Sequence, residues 1–289
     1  MAGLRISTSL NLHDGSRENI KEYIETGLSF LKRMGFDAAD MPSPLFLGMG
    51  EAWEEYIKAA LEAGEANGIR FELCHLPFGI KPEAPEEEQE RFNLSVHRAI
   101  DAAKMLGVSY AVVHPNCMTM LQREYDEKAQ HEMVIRHLAP FAEHAAKIGL
   151  NIVVENMRYV YGNEPVHRYC GEPEELCRVA DELGIGICWD FGHANINGLV
   201  QSEALKYVGK RLKMLHVNDN HAYNDIHLAP FMGKVDWQDA MQGLKAIDYQ
   251  GLFNYEVASF RVPAPLKEDF ARYLVNAAHT MLDMMENEE

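Results

Sequence analysis

Residues 186–194 read Gly-Ile-Cys-Trp-Asp-Phe-Gly-His-Ala, and this stretch decides the fold. A short apolar run ends abruptly in Asp190, and His193 follows three residues later. An acid at the end of a buried strand is costly unless it is paired or bound to a cation. The same arrangement recurs along the chain: FELCHLP (71–77) carries His75, YAVVHPN (110–116) His114 and NIVVENM (151–157) Glu155. LKMLHVND (212–219) carries His216, NDIHLAP (224–230) Asp225 and His227, and LFNYEVA (252–258) Glu256. Nine potential metal ligands thus close seven segments read as strand ends. Strand-end acids and imidazoles repeated around a barrel point to one shared site.

Working outward, apolar runs begin near residues 4, 36, 70, 110, 151, 186, 212 and 252. Between them lie amphipathic stretches at 18–35, 51–68, 86–107, 132–149 and 172–184. Each has apolar residues at i, i+3 and i+4 and a terminal glycine, the usual stop of a helix. Glu172-Pro173 reads as a helix start. Eight such units predict an α/β fold, a single (β/α)8 TIM barrel over residues 1–289. An open doubly wound sheet is the rival, but no GxGxxG or P-loop pattern is present. Residues 76–90 and 217–236 read as long loops, the kind that shape a pocket at a barrel's C-terminal face.

Composition narrows the function classes. A hydrophobic fraction of 47% supports a full core. No apolar run approaches a membrane span, and the opening MAGLRISTSL reads as a strand and not as a signal peptide. The five cysteines, Cys74, Cys117, Cys170, Cys177 and Cys188, are scattered and odd in number, which points to reduced thiols in a cytoplasmic protein. A formal net charge of −17 without a basic run disfavours nucleic acid and favours a small substrate. The acidic tip MENEE is the one stretch expected to be disordered.

Strand alternation puts Val153 with Glu155, Cys188 with Asp190, Met214 with His216 and Asn254 with Glu256. Glu155, Asp190, His216 and Glu256 can therefore converge at the barrel mouth. Two Glu, one Asp and one His form a hard, mostly oxygen shell suited to Mn²⁺, Mg²⁺, Co²⁺ or Zn²⁺. His75, His114, His193, Asp225 and His227 can serve further ions, up to three in all, or bind substrate. Arg158, Arg261 and Lys234 are candidates for a substrate hydroxyl, carboxylate or phosphate, with solvated surface charge as the alternative. Cys188 and Trp189 are expected in packing roles, and His13, His97, His131, His137, His144, His167, His221 and His279 in surface or structural ones.

The motifs CHLPFG, VVHPN, VVENM, CWDFGHAN, the LHVNDN…DIHLAP…GKVDW stretch and NYEVA resemble the xylose-isomerase-like barrel superfamily. The likeness is to its sugar phosphate isomerase/epimerase group, related to endonuclease IV. It spans essentially the whole chain. In the ketose 3-epimerases of that superfamily, two Glu, one Asp and one His hold one metal, and the two Glu also exchange the proton. Those positions correspond to Glu155, Asp190, His216 and Glu256. In endonuclease IV nine positions hold three zinc ions, and all nine have counterparts here. The ketose epimerases place a substrate-binding Arg in the loop after strand 7, where this chain has Asp225 and His227 instead.

The resemblance implies a metal-dependent sugar or sugar-phosphate isomerase or epimerase. It would act by proton transfer next to a carbonyl through an enediolate, with Glu155 and Glu256 as the acid/base pair. His193 would bind a substrate hydroxyl, and His75 and His114 would line the pocket or hold a second ion. The implied partner is a small-molecule carbohydrate, with a homo-oligomer left open. Alternatives are a multinuclear zinc phosphodiesterase like endonuclease IV, a 3-keto-glycoside lyase, and a metal-dependent binding protein.

Overall fold

The computed structural model describes residues 5–13, 15, 17–80, 84–115, 125–161 and 164–286. Cys117, the end of the VVHPN motif, residues 81–83 of the first long loop and the last three residues of the acidic tip lie outside them.

Eight parallel strands carry the architecture: β1 (Ile6–Ser9), β2 (Ala38–Met41), β3 (Arg70–His75), β4 (Tyr110–Val113), β5 (Ile152–Glu155), β6 (Gly186–Asp190), β7 (Leu212–His216) and β8 (Phe253–Tyr255). They pair in sequence order, with β8 returning to β1. One parallel bridge, Val217 to Tyr255, joins β7 to β8. There the Val217 amide donates to the Asn254 carbonyl at 2.8 Å and the Glu256 amide to the Val217 carbonyl at 3.2 Å. The ladder therefore closes into a barrel. Parallel strands need long crossovers, and eight longer helices provide them. These are α1 (Ile20–Met34), α2 (Trp53–Asn67), α3 (Glu86–Leu106), α4 (Glu127–Ile148), α5 (Pro173–Leu183), α6 (Gln201–Val208), α7 (Trp237–Ala246) and α8 (Lys267–Glu286).

Helix boundaries follow the local chemistry. Asn19, Asp126 and Asp236 cap α1, α4 and α7 with a side-chain oxygen on a backbone N–H. Pro173 occupies the first turn of α5, as the sequence predicts. Helices α1 to α5 each end at a glycine with positive φ. The first long loop is shorter than 76–90. Pro85 ends it, and Glu86, Glu87 and Glu88 favour the positive N-terminal end of α3. Three small elements have no sequence signal: short helices at Ser43–Gly48 and Phe191–Ile196 and a hairpin pairing Val160–Tyr161 with Glu164–Pro165.

The core has two compartments. The larger lies between strands and helices and includes Trp189, whose indole N–H donates to Gln201 on α6 at 3.0 Å. The smaller fills the barrel: Leu73, Val112, Val153, Cys188 and Met214. Each of these five sits two residues before a candidate ligand, so period-two alternation lifts His75, His114, Glu155, Asp190 and His216 into the layer above.

Candidate metal centre

Seven of the nine candidate ligands stand at or just beyond the C-terminal ends of six strands. Asp225 and His227 do not end a strand of their own, because Asn224–Pro230 runs inside the loop after β7 and pairs there only through an Asp219–Leu228 bridge. Their donor atoms fall into three groups, each with all atoms within 4.8 Å of one another. One is Glu155, Asp190, His216 and Glu256; the second is His75, His114 and Glu155; the third is His193, Asp225 and His227. Glu155 belongs to two of them.

The first group centres on His216 Nδ1, 3.0 Å from Glu155 Oε1 and 3.1 Å from Glu256 Oε2. In the second, His114 Nε2 and His75 Nε2 lie 3.1 and 3.6 Å from Glu155 Oε2, and only 3.0 Å from each other. In the third, Asp225 Oδ1 is 3.0 Å from His227 Nε2 and 3.7 Å from His193 Nε2. Glu155 Oε2 and Asp225 Oδ1 are buried without a hydrogen-bond partner. Buried orphan acceptors facing imidazole nitrogens are costly, and a divalent cation relieves that cost. The donor set thus fits a metal on this chain's own geometry.

The outer contacts support the same reading. His75, His193 and His227 each donate Nδ1–H to a backbone carbonyl, of Leu76 at 3.0 Å, Asn156 at 2.7 Å and Glu256 at 2.7 Å. That leaves Nε2 of each ring turned inward as a lone-pair donor, the usual outer arrangement of a metal-binding histidine. Asp190 is held from both sides. Its Oδ1 accepts from the His193 amide at 2.7 Å, capping the short helix Phe191–Ile196, and its Oδ2 accepts from Asn218 Nδ2 at 2.7 Å.

Electrostatics follow burial and proximity. Burial pushes the Glu155 carboxyl up, but the imidazoles of His216 and His114 outweigh it and hold the group well below the usual carboxylate range. Burial is likewise overcome at Glu256, where His216 and His227 hold the carboxyl at about 2. Asp190 moves the other way: burial raises it and His193 only partly compensates. Burial lowers His114 to about 4, whereas Asp225 raises His227 to about 10 against its burial.

Above the groups lies a cavity of about 260 Å³. Its wall includes His114, Glu155, His193, Asp225, His227 and Glu256, together with Arg158 and Arg168. Arg158 Nε pairs with Asp225 Oδ2 at 3.0 Å and Nη1 lies 3.4 Å from His193 Nε2. Phe78 stacks on His114 at 4.2 Å. Arg261 and Lys234 are exposed and line no part of this cavity; Arg261 lies instead over the ring of Phe260. Sequence reasoning passed over Phe78, Gly79, Arg168, Asn156 and Asn218. Phe78, Gly79 and both asparagines sit inside the quoted motifs, one to four residues from a ligand, whereas nothing in the sequence around Arg168 marks it.

A family model described as a xylose isomerase-like TIM barrel matches residues 28–274. An uncharacterised protein of Methanocaldococcus jannaschii is 29% identical over 209 residues, covering 70% of this chain and 69% of the relative. A D-psicose 3-epimerase of Enterocloster bolteae is 31% identical over 109 residues, 35% of each chain. Among solved structures, a D-tagatose 3-epimerase-like protein superposes with a TM-score of 0.73 at 20% identity, over 98% of this chain and 100% of that one.

Proposed function

Because the chain belongs to the xylose isomerase-like TIM barrel family, we propose that it is a divalent-metal-dependent isomerase or epimerase of a sugar or sugar phosphate. One observation carries the reading: two carboxylates from different strands, Glu155 and Glu256, share one imidazole at the cavity floor. The epimerase names of the relatives above agree with it. A divalent cation held by Glu155, Asp190, His216 and Glu256 supplies positive charge that stabilises negative charge developing on a substrate oxygen.

The residues do the rest. Both Glu155 and Glu256 are held ionised, so either can take a proton from a carbon next to a carbonyl at neutral pH. Glu256 is 32% exposed to the cavity and Glu155 only 1%. A substrate lying between them presents opposite faces to β5 and β8. One carboxylate removes the proton and the other returns it to the enediolate. His193 and Arg158 line the same wall and bind substrate hydroxyls or an anionic group.

Turnover in D₂O tests this. With ketoses, their phosphates and 3-keto glycosides as substrates, solvent deuterium should enter the product carbon. Glu155→Gln and Glu256→Gln should each slow that exchange by ~10²–10⁴, with metal content measured alongside. Product formed without deuterium, or unchanged exchange in both variants, refutes the reading.

A second reading, a trinuclear zinc phosphodiesterase, is favoured by one observation: all nine candidate ligands fall into three groups, two of which share Glu155. A net charge of −17 weighs against a DNA substrate. Hydrolysis of model phosphodiesters by zinc-loaded protein, with no deuterium incorporation into any sugar, would install this reading in place of the first.

A further inference from the structure

Among the described residues, the barrel interior holds one buried acid, Asp40, that neither the nine candidate ligands nor the proton transfer uses. Asp40 lies on β2, which contributes no ligand. Its neighbours Ala39 and Met41 pack in the outer core, so alternation turns Asp40 inward. It is 4% exposed. Oδ2 accepts from Asn254 Nδ2 at 3.0 Å, and Asn254 Oδ1 accepts from Ser7 Oγ at 2.9 Å. Oδ1 is buried and has no hydrogen-bond partner.

A second buried atom lacks a partner in the same way: His216 Nε2. His216 differs from His75, His193 and His227. Its Nδ1 faces the carboxylates of Glu155 and Glu256, and no backbone carbonyl takes it. A ring that meets a cation through Nδ1 must carry its proton on Nε2. That proton then needs an acceptor within the barrel. Burial pushes the Asp40 carboxyl up, Asn254 draws it back, and His216 is the charged group that acts on it most strongly.

We propose that Asp40 is the outer carboxylate of the metal centre: its Oδ1 accepts the Nε2 proton of His216 through one enclosed water. Asn254 and Ser7 hold the carboxylate in place, and the carboxylate holds the ring with Nδ1 towards Glu155 and Glu256. Asp40 is thus a positioning residue, acting through His216. The inference rests on the metal reading of this site. Cys188 also lies against the His216 ring and is the rival acceptor, but a thiol accepts weakly.

The test uses the full chain stripped of metal, with Mn²⁺ binding followed by calorimetry and metal-free melting measured separately. Asp40→Asn should weaken Mn²⁺ binding by about ten- to hundred-fold. Its metal-free melting temperature should hold or rise, because a neutral amide replaces a buried carboxylate with an orphaned oxygen. Cys188→Ala should bind Mn²⁺ as the wild type does. Unchanged affinity in Asp40→Asn, a loss that follows Cys188→Ala instead, or a parallel fall in melting temperature and affinity each overturns the proposal. Should Asp40→Asn not fold, nitrogen-15 spectra of the histidines in Zn²⁺-loaded wild type decide. The proposal requires the His216 proton on Nε2, and a proton on Nδ1 overturns it. A wild type that binds no Mn²⁺, Zn²⁺, Mg²⁺ or Co²⁺ removes the metal reading too; normal wild-type binding with unchanged Asp40→Asn affinity removes this inference alone.

Discussion

Gly192 shows how closely single residues are fitted around the candidate metal centre. A β-carbon there would meet Asn218 Oδ1 at 2.0 Å and Asn220 Nδ2 at 2.8 Å. Neither amide is free to move: Asn218 donates to Asp190, and Asn220 Nδ2 donates to the Gly192 carbonyl at 2.8 Å. Gly192→Ala should therefore cost about 1–3 kcal/mol by overpacking. Displacing Asn218 frees one side of Asp190, so metal affinity should fall by about ten-fold or more. Denaturant unfolding and metal titration check the two effects, and wild-type values in both would show that the asparagines give way. Asp190 itself is legible in the sequence because an acid ends an apolar run. Asn218 is not, since an asparagine in a loop is commonplace and its role exists only once β6 and β7 lie side by side.

At the scale of elements, α3 and α4 pack through an aromatic seam. His137 stacks on Phe92 at 6.2 Å and meets Phe141 edge-on at 5.4 Å, while His97 meets His144 at 4.8 Å. His144 also lies 2.7 Å from Asp101. Burial lowers His137 to about 4. An unfolded histidine titrates near 6.5, so between these values the unfolded chain binds a proton that the folded chain refuses. Folding stability from this site is intact above about pH 6.5 and is lost as the pH falls through about 4, on the order of 2 kcal/mol in all. His137→Leu should flatten the fall in stability over that window in urea titrations; an unchanged slope would assign the acid sensitivity elsewhere. The helices themselves were readable from their periodicity and terminal glycines. Even Pro140 does not break α4, because it and Arg136, whose carbonyl loses its partner, both face solvent. The short helix Phe191–Ile196 was hidden, since its cap, Asp190, reads first as a strand-end ligand.

For the whole molecule, the candidate centre brings nine candidate ligands from six strand ends and the loop after β7 together at the barrel mouth. A cation that binds there binds only the closed barrel, so it must stabilise the fold by mass action. At a hundred-fold excess over Kd the gain is about 2.7 kcal/mol, which raises the melting temperature by on the order of 5 °C for a chain of this size. Chelation should reverse the shift. A melting temperature indifferent to Mn²⁺, Zn²⁺, Mg²⁺ and Co²⁺ would argue against a metal at these residues. No helix among the described residues is long and apolar enough to cross a membrane.

By itself the sequence determined the eight-fold alternation and which residues are candidate ligands, because strand and helix periods and terminal acids are local signals that need no partner to be read. Val153 with Glu155, or Met214 with His216, is a spacing of two along one strand, and the inward layer follows from it. The tertiary structure alone decided how the nine candidate ligands divide into three groups and that Glu155 belongs to two of them. It also put Arg158 against Asp225, left Arg261 and Lys234 outside the cavity, and brought Asp40 from β2 under the site through Asn254 on β8. Each of these depends on strand register and barrel closure. Register is a property of pairs of strands far apart in sequence, and no single stretch of the chain encodes it.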